Sequence, residues 1–85
     1  MEAIAHKYLR QLQERVASTG TQMRYAEGLA AHLCGKAKGK GGARQLRKLV
    51  LSEVEGPLAT YLLRLPRQPN KIRVNLTEGQ VTFQN

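Results

Sequence analysis

Apolar residues recur three or four positions apart over most of the chain, which is the spacing of amphipathic helices. This pattern predicts four helices, at residues 2–18, 26–35, 43–54 and 57–65. The last two are separated at Glu55-Gly56-Pro57, because proline has no backbone N–H to donate and disfavours a helical conformation in the residue before it.

Two further stretches alternate between apolar and polar residues, as half-buried strands do. The first predicts a strand at 21–25, and the second predicts a hairpin at 71–84 that turns at Thr77-Glu78-Gly79. The prediction is one α+β domain spanning residues 1–85, with about four helices and a small three-stranded sheet that includes the C-terminal β-hairpin. The alternation does not determine the order in which the three strands pair.

The start of the third predicted helix has features that suit an anion. Gly42 has no side chain, so a ligand could approach the backbone closely. Arg44 lies in the first turn, where the helix dipole disfavours a cation by about 0.3–1 kcal/mol. Free N–H groups and a guanidinium fork together suit a phosphate. The alternative is an ordinary exposed arginine on an amphipathic helix, and these residues by themselves favour that alternative.

Positive charge is concentrated in the middle of the chain. The net charge is +8, and no acidic residue lies between Glu27 and Glu53. Six of the 14 basic residues fall in or beside a predicted glycine-rich loop at 36–42: Lys36, Lys38, Lys40, Arg44, Arg47 and Lys48. Such a run is typical of a nucleic-acid-binding surface, or of a solvated loop whose charge is balanced elsewhere in a larger protein.

Several kinds of active site are disfavoured. The loop is not a P-loop, because its glycine spacing is one residue short and Gly41 stands where the motif requires a hydroxyl. The chain has no aspartate, and Cys34 is its single cysteine, so we expect no catalytic residue and no metal site. No apolar run is long enough to cross a bilayer, which favours a cytoplasmic protein without a membrane partner.

The GARxLR stretch, Gly42-Ala43-Arg44-Gln45-Leu46-Arg47, resembles the sensor-two motif of Clp-type AAA+ unfoldases. The likeness continues through Leu49-Val50-Leu51 and through Glu55-Gly56-Pro57-Leu58-Ala59, which is similar to the family's acidic residue and Pro-Leu-Ala helix start. The opening helix and the closing hairpin also occur in the order of that family's C-terminal small subdomain, or lid. The resemblance therefore covers essentially the whole chain. Two departures are Gln45, where the family usually has proline, and a loop without the usual aromatic–aspartate–proline turn.

This resemblance implies that ATP binds between the lid and a large AAA+ subdomain that carries the Walker motifs. It implies that Arg44 contacts the terminal phosphates, with Gly42 and Ala43 as the supporting turn. The implied partners are the large subdomain of the same parent chain, neighbouring subunits of a homo-hexamer and, where the parent serves proteolysis, a peptidase. The parent would be an ATPase that unfolds proteins, whereas this chain alone is not expected to be an enzyme or to bind ATP tightly.

Two other functions stay open from the sequence. A small basic nucleic-acid-binding module would use the basic residues of the 36–48 stretch, and its affinity would fall steeply with salt. An adaptor that docks through an exposed sheet edge is the third possibility, although no residue singles it out.

Overall fold

The computed structural model describes residues 2–37 and 42–85. This part of the chain contains three helices and three strands. They are α1 (Glu2–Ala17), β1 (Gln22–Tyr25), α2 (Leu29–Lys36), α3 (residues 42–64), β2 (Lys71–Thr77) and β3 (Gln80–Gln84). The predicted α+β class with a three-stranded sheet is confirmed, whereas the prediction of about four helices is wrong.

The difference lies in α3, which continues through the proline that was expected to end it. An α-helical section, Gly42–Leu49, is followed by a π-helical section, Val50–Glu55, and then by a second α-helical section, Gly56–Arg64. In the π section the hydrogen-bond register widens, and the Gly56 N–H bonds to the carbonyl of Leu51, five residues back. Pro57 therefore falls in the first turn of a new α-helical section, where its missing N–H is tolerated.

Gly56 is suited to this register change. A Cβ atom there would lie 3.2 Å from the Leu51 carbonyl oxygen, closer than side-chain carbons usually approach a backbone atom. The predicted helices at 43–54 and 57–65 are thus a single helix, because the π turn absorbs the local effect of the proline.

The predicted start of the second helix at Ala26 is also wrong. The Ala26 N–H donates to the carbonyl of Val74 at 2.9 Å, which continues the sheet by one residue beyond β1. A turn follows in which the Leu29 N–H bonds to the Ala26 carbonyl at 3.1 Å, and α2 begins at Leu29. Pairing with a distant strand therefore overrides the local helical pattern.

The sheet has the order β1-β2-β3, with β1 parallel to β2 and β2 antiparallel to β3. The turn between β2 and β3 consists of Glu78 and Gly79, whose φ angles are 51° and 76°. Two positive φ angles are typical of the two-residue turns whose twist matches a hairpin. At the other end of the sheet, the buried Thr21 hydroxyl donates to the Pro69 carbonyl at 2.7 Å and ties the start of β1 to the segment before β2.

All three helices contribute to one hydrophobic core, which also takes in the inner face of the sheet. The sheet supplies Met23, Ile72 and Val74, each at most 3% exposed. Buried side chains of the helices, with Ala37 directly after α2, complete it: Ala5, Leu9, Leu12, Val16, Leu29, Ala30, Leu33, Ala37, Leu46, Val50, Val54 and Leu58. Among the described residues, no helix is both long and apolar enough to traverse a lipid bilayer.

We expect the core face of α3 to contribute strongly to stability. Leu46 is fully buried, so Leu46→Ala should lower the free energy of unfolding by about 2–5 kcal/mol through lost burial and a residual cavity. Leu63 lies on the same helix and is 86% exposed, so Leu63→Ala should change it by no more than about 0.5 kcal/mol. Chemical denaturation of both variants measures the difference, and equal effects would contradict the assigned orientation of α3.

Candidate functional site

The candidate sensor arginine lies on the outer side of α3, in its first turn. Leu46, two positions later, is fully buried, while Arg44 itself is exposed. Because each residue of an α-helix advances by about 100°, two positions place these side chains on opposite sides. The core contact of Leu46 therefore directs Arg44 towards solvent at the N-terminal end of the helix.

The turn beneath Arg44 depends on glycine. Gly42 has a φ of +45°, a left-handed conformation that disfavours residues with a Cβ. Among the described residues, no atom beyond its chain neighbours and its own helix backbone lies within 4 Å of the position that a Cβ would take, so the strain comes from the backbone conformation. Ala43, the other member of the predicted supporting turn, is exposed.

The six residues of the predicted basic patch have different environments. Arg44, Arg47 and Lys48 are exposed and stand at helical spacings of three and four, so they share one side of α3. Lys36, at the end of α2, donates to Glu53 Oε2 at 2.9 Å and is partly neutralised. Lys38 and Lys40 lie outside the described residues.

Two glutamates of the π section connect α3 to the other helices. Glu53 pairs with Lys36 and also approaches His32 of α2, with 3.7 Å between its Oε1 and the imidazole Nε2. Glu55 accepts a hydrogen bond from Arg15 of α1 at 2.7 Å. These contacts face different neighbours and hold α3, and with it Arg44, in a defined orientation.

The described part of the chain offers no group of three or more His, Cys, Asp or Glu side chains that could hold a metal ion. What it presents near Arg44 is a guanidinium and the first-turn N–H groups of α3. These can bind the oxygens of a phosphate, but they do not form an enclosed pocket for a whole nucleotide.

A second group of cations was missed by the sequence analysis. Arg24, Lys71 and Arg73 lie together on the outer face of the sheet, where β1 and β2 pair. Alternation alone placed each of them on the polar face of its own strand. Their proximity follows only from the parallel register, which the sequence left undetermined.

The described residues form a small α+β domain whose third helix carries an exposed arginine in its first turn. In a comparison with family models, the model described as the C-terminal, D2-small domain, of ClpB protein matches residues 1–76. The chain therefore belongs to this family, and its predicted identity as the C-terminal small domain of a Clp-type AAA+ ATPase is confirmed. No curated protein matches the chain.

We expect the left-handed turn at Gly42 to be sensitive to substitution. Gly42→Ala should lower the free energy of unfolding by about 1–2 kcal/mol, because alanine is strained at positive φ. Gly35 provides the matched control, since it lies within α2 with open space around it, and Gly35→Ala should raise stability by up to about 1 kcal/mol through helix propensity. Urea denaturation shows whether each substitution raises or lowers the free energy of unfolding. Stabilisation by both substitutions would contradict a strained turn at Gly42.

Proposed function

We propose that this chain is the C-terminal lid of an ATP-dependent Clp-type chaperone, and that Arg44 is its sensor-two residue. In this function Arg44 contacts the terminal phosphates of ATP held by a large AAA+ subdomain of the same parent protein. Two findings support the proposal: membership of the D2-small family, and an exposed arginine in the first turn of a helix anchored by its buried face. The exposed, anchored position of Arg44 is the observation that carries it.

The chemistry of the side chain suits this role. A guanidinium stays charged at physiological pH and can clamp two phosphate oxygens at once, which fixes both distance and direction. A bound ATP would supply the anionic oxygens that Arg44 and the first-turn N–H groups of α3 are arranged to contact. Since one arginine and a few N–H groups do not enclose a nucleotide, binding of the base, ribose and magnesium ion falls to the large subdomain.

The same anchoring makes the lid a mechanical element. Leu46 holds α3 in the core, and the Glu53 and Glu55 pairs tie it to α2 and α1, so the backbone at Arg44 is anchored to the rest of the domain. If the arginine contacts the triphosphate more strongly than the diphosphate, nucleotide turnover changes the preferred position of the lid. In a cytoplasmic homo-hexamer, with the lid also contacting neighbouring subunits, this motion would drive protein unfolding. This motion is compatible both with disaggregation of protein aggregates and with delivery of unfolded proteins to a peptidase.

We expect Arg44→Ala in the full-length ATPase to reduce the rate of ATP hydrolysis by about 100-fold or more, as loss of a preorganised charged donor does. Arg44→Lys should recover only part of the rate, because an ammonium cannot form the two-point contact. Arg64→Ala, an exposed arginine in the last turn of α3, is the control and should leave the rate unchanged. Thermal unfolding checks that all three variants fold; normal turnover in a folded Arg44→Ala protein would refute the assignment.

The length of the native gene product provides an independent test. We expect a protein several hundred residues longer than this chain, with a Walker A loop upstream, because Arg44 needs a nucleotide held by other elements. Immunoblotting and mass measurement from source cells determine this directly. A native product of about this size would refute the lid function and favour the basic nucleic-acid module or the adaptor.

A further inference from the structure

The outer face of the sheet places three cations side by side. In the parallel register of β1 and β2, Arg24 pairs with Arg73, and Gln22 pairs with Lys71. All four side chains are exposed. Arg24, Lys71 and Arg73 are therefore neighbours on one face of the sheet, which we call the outer sheet site.

The charge of this site is not compensated within the described residues. The ion pairs among the described residues involve Arg15, His32 and Lys36, and none involves a cation of the outer sheet site. Arg73 donates through Nε to a neutral acceptor, the Asn75 Oδ1 atom, at 2.8 Å. Since like charges directly opposite one another destabilise a sheet, the Arg24–Arg73 pairing has an energetic cost that a bound anionic group would offset.

The three cations border a shallow depression of about 360 Å³. Its other lining residues are Gln22, Ile72, Gln84 and Asn85, so amide-bearing residues lie beside the cations. Amide groups can both donate to and accept from a polypeptide backbone. The depression is thus suited to an extended, hydrogen-bonding ligand with negative charges.

We propose that the outer sheet site binds an acidic segment of a partner protein through two or three carboxylates. Lys71 and Arg73 are two positions apart on one strand, about 6.6 Å, which is also the spacing of same-side carboxylates in an extended peptide. A nucleic acid is less well matched, because three cations neutralise few phosphates and the aromatic side chains Tyr25 and Phe83 pack against the core on the inner face. This site is independent of the proposed role of Arg44.

A site-resolved cross-linking experiment tests the proposal. The protein at its native length is mixed with an octaglutamate peptide at about 0.15 M salt, where weak long-range attraction is largely screened. A carbodiimide then joins a peptide carboxylate to a nearby lysine Nζ as an amide, with loss of water, and mass spectrometry identifies the lysine. We expect Lys71 to be modified preferentially over Lys7 and Lys48, which are also exposed.

Charge-matched variants separate a specific site from general attraction. Arg24→Gln/Arg73→Gln should lower the yield at Lys71 by about tenfold or more, because two charge-assisted contacts are lost. Arg10→Gln/Arg64→Gln removes the same number of exposed positive charges from α1 and α3 and should leave that yield unchanged. All four positions are exposed, so the variants are expected to fold, and thermal unfolding checks this.

Three results would overturn the proposal. The first is uniform modification of the exposed lysines, and the second is an equal loss of yield at Lys71 in both double variants. The third is loss of the cross-link at Lys71 when duplex DNA is added at a phosphate concentration far below the carboxylate concentration of the peptide. That result would identify a nucleic-acid surface instead.

Discussion

The π-helical hydrogen bond between the Gly56 N–H and the Leu51 carbonyl is the contact on which the third helix depends. It allows one helix to continue past Pro57 and so to present a single buried row to the core, at Leu46, Val50, Val54 and Leu58. Residues four apart on a regular α-helix drift by about 40° at each step. The wider π turn rotates less per residue and reduces this drift, which keeps the row facing α1, α2 and the sheet.

The same π section also carries the polar contacts that orient the helix. Glu53 pairs with Lys36 of α2, and Glu55 pairs with Arg15 of α1. Exposed or half-exposed pairs of this kind contribute little to the free energy of unfolding. Their consequence is geometric: together with the buried row, they define the orientation of α3 relative to α1 and α2.

The fold separates two clusters of exposed cations among the described residues. One lies on α3 with Arg44, Arg47 and Lys48, and the other is the outer sheet site. The first includes Arg44, the proposed nucleotide contact, whereas the cations of the second have no ion-pair partner among the described residues. The composition gives only the total charge, and the fold determines which cations become neighbours.

The sequence by itself determined the α+β class and the three strands, because periodicity reports which side of each element is buried. It also identified the family, since the GARxLR and Pro-Leu-Ala motifs are local patterns. Tertiary structure decided whether Ala26 joins α2 or the sheet, since its N–H bonds to the carbonyl of Val74 in a distant strand. It also favoured one helix past Pro57, since the π turn keeps Val50, Val54 and Leu58 in the core. It also decided that Arg24 lies beside Arg73, because alternation defines the face of each strand but not which strand becomes its neighbour.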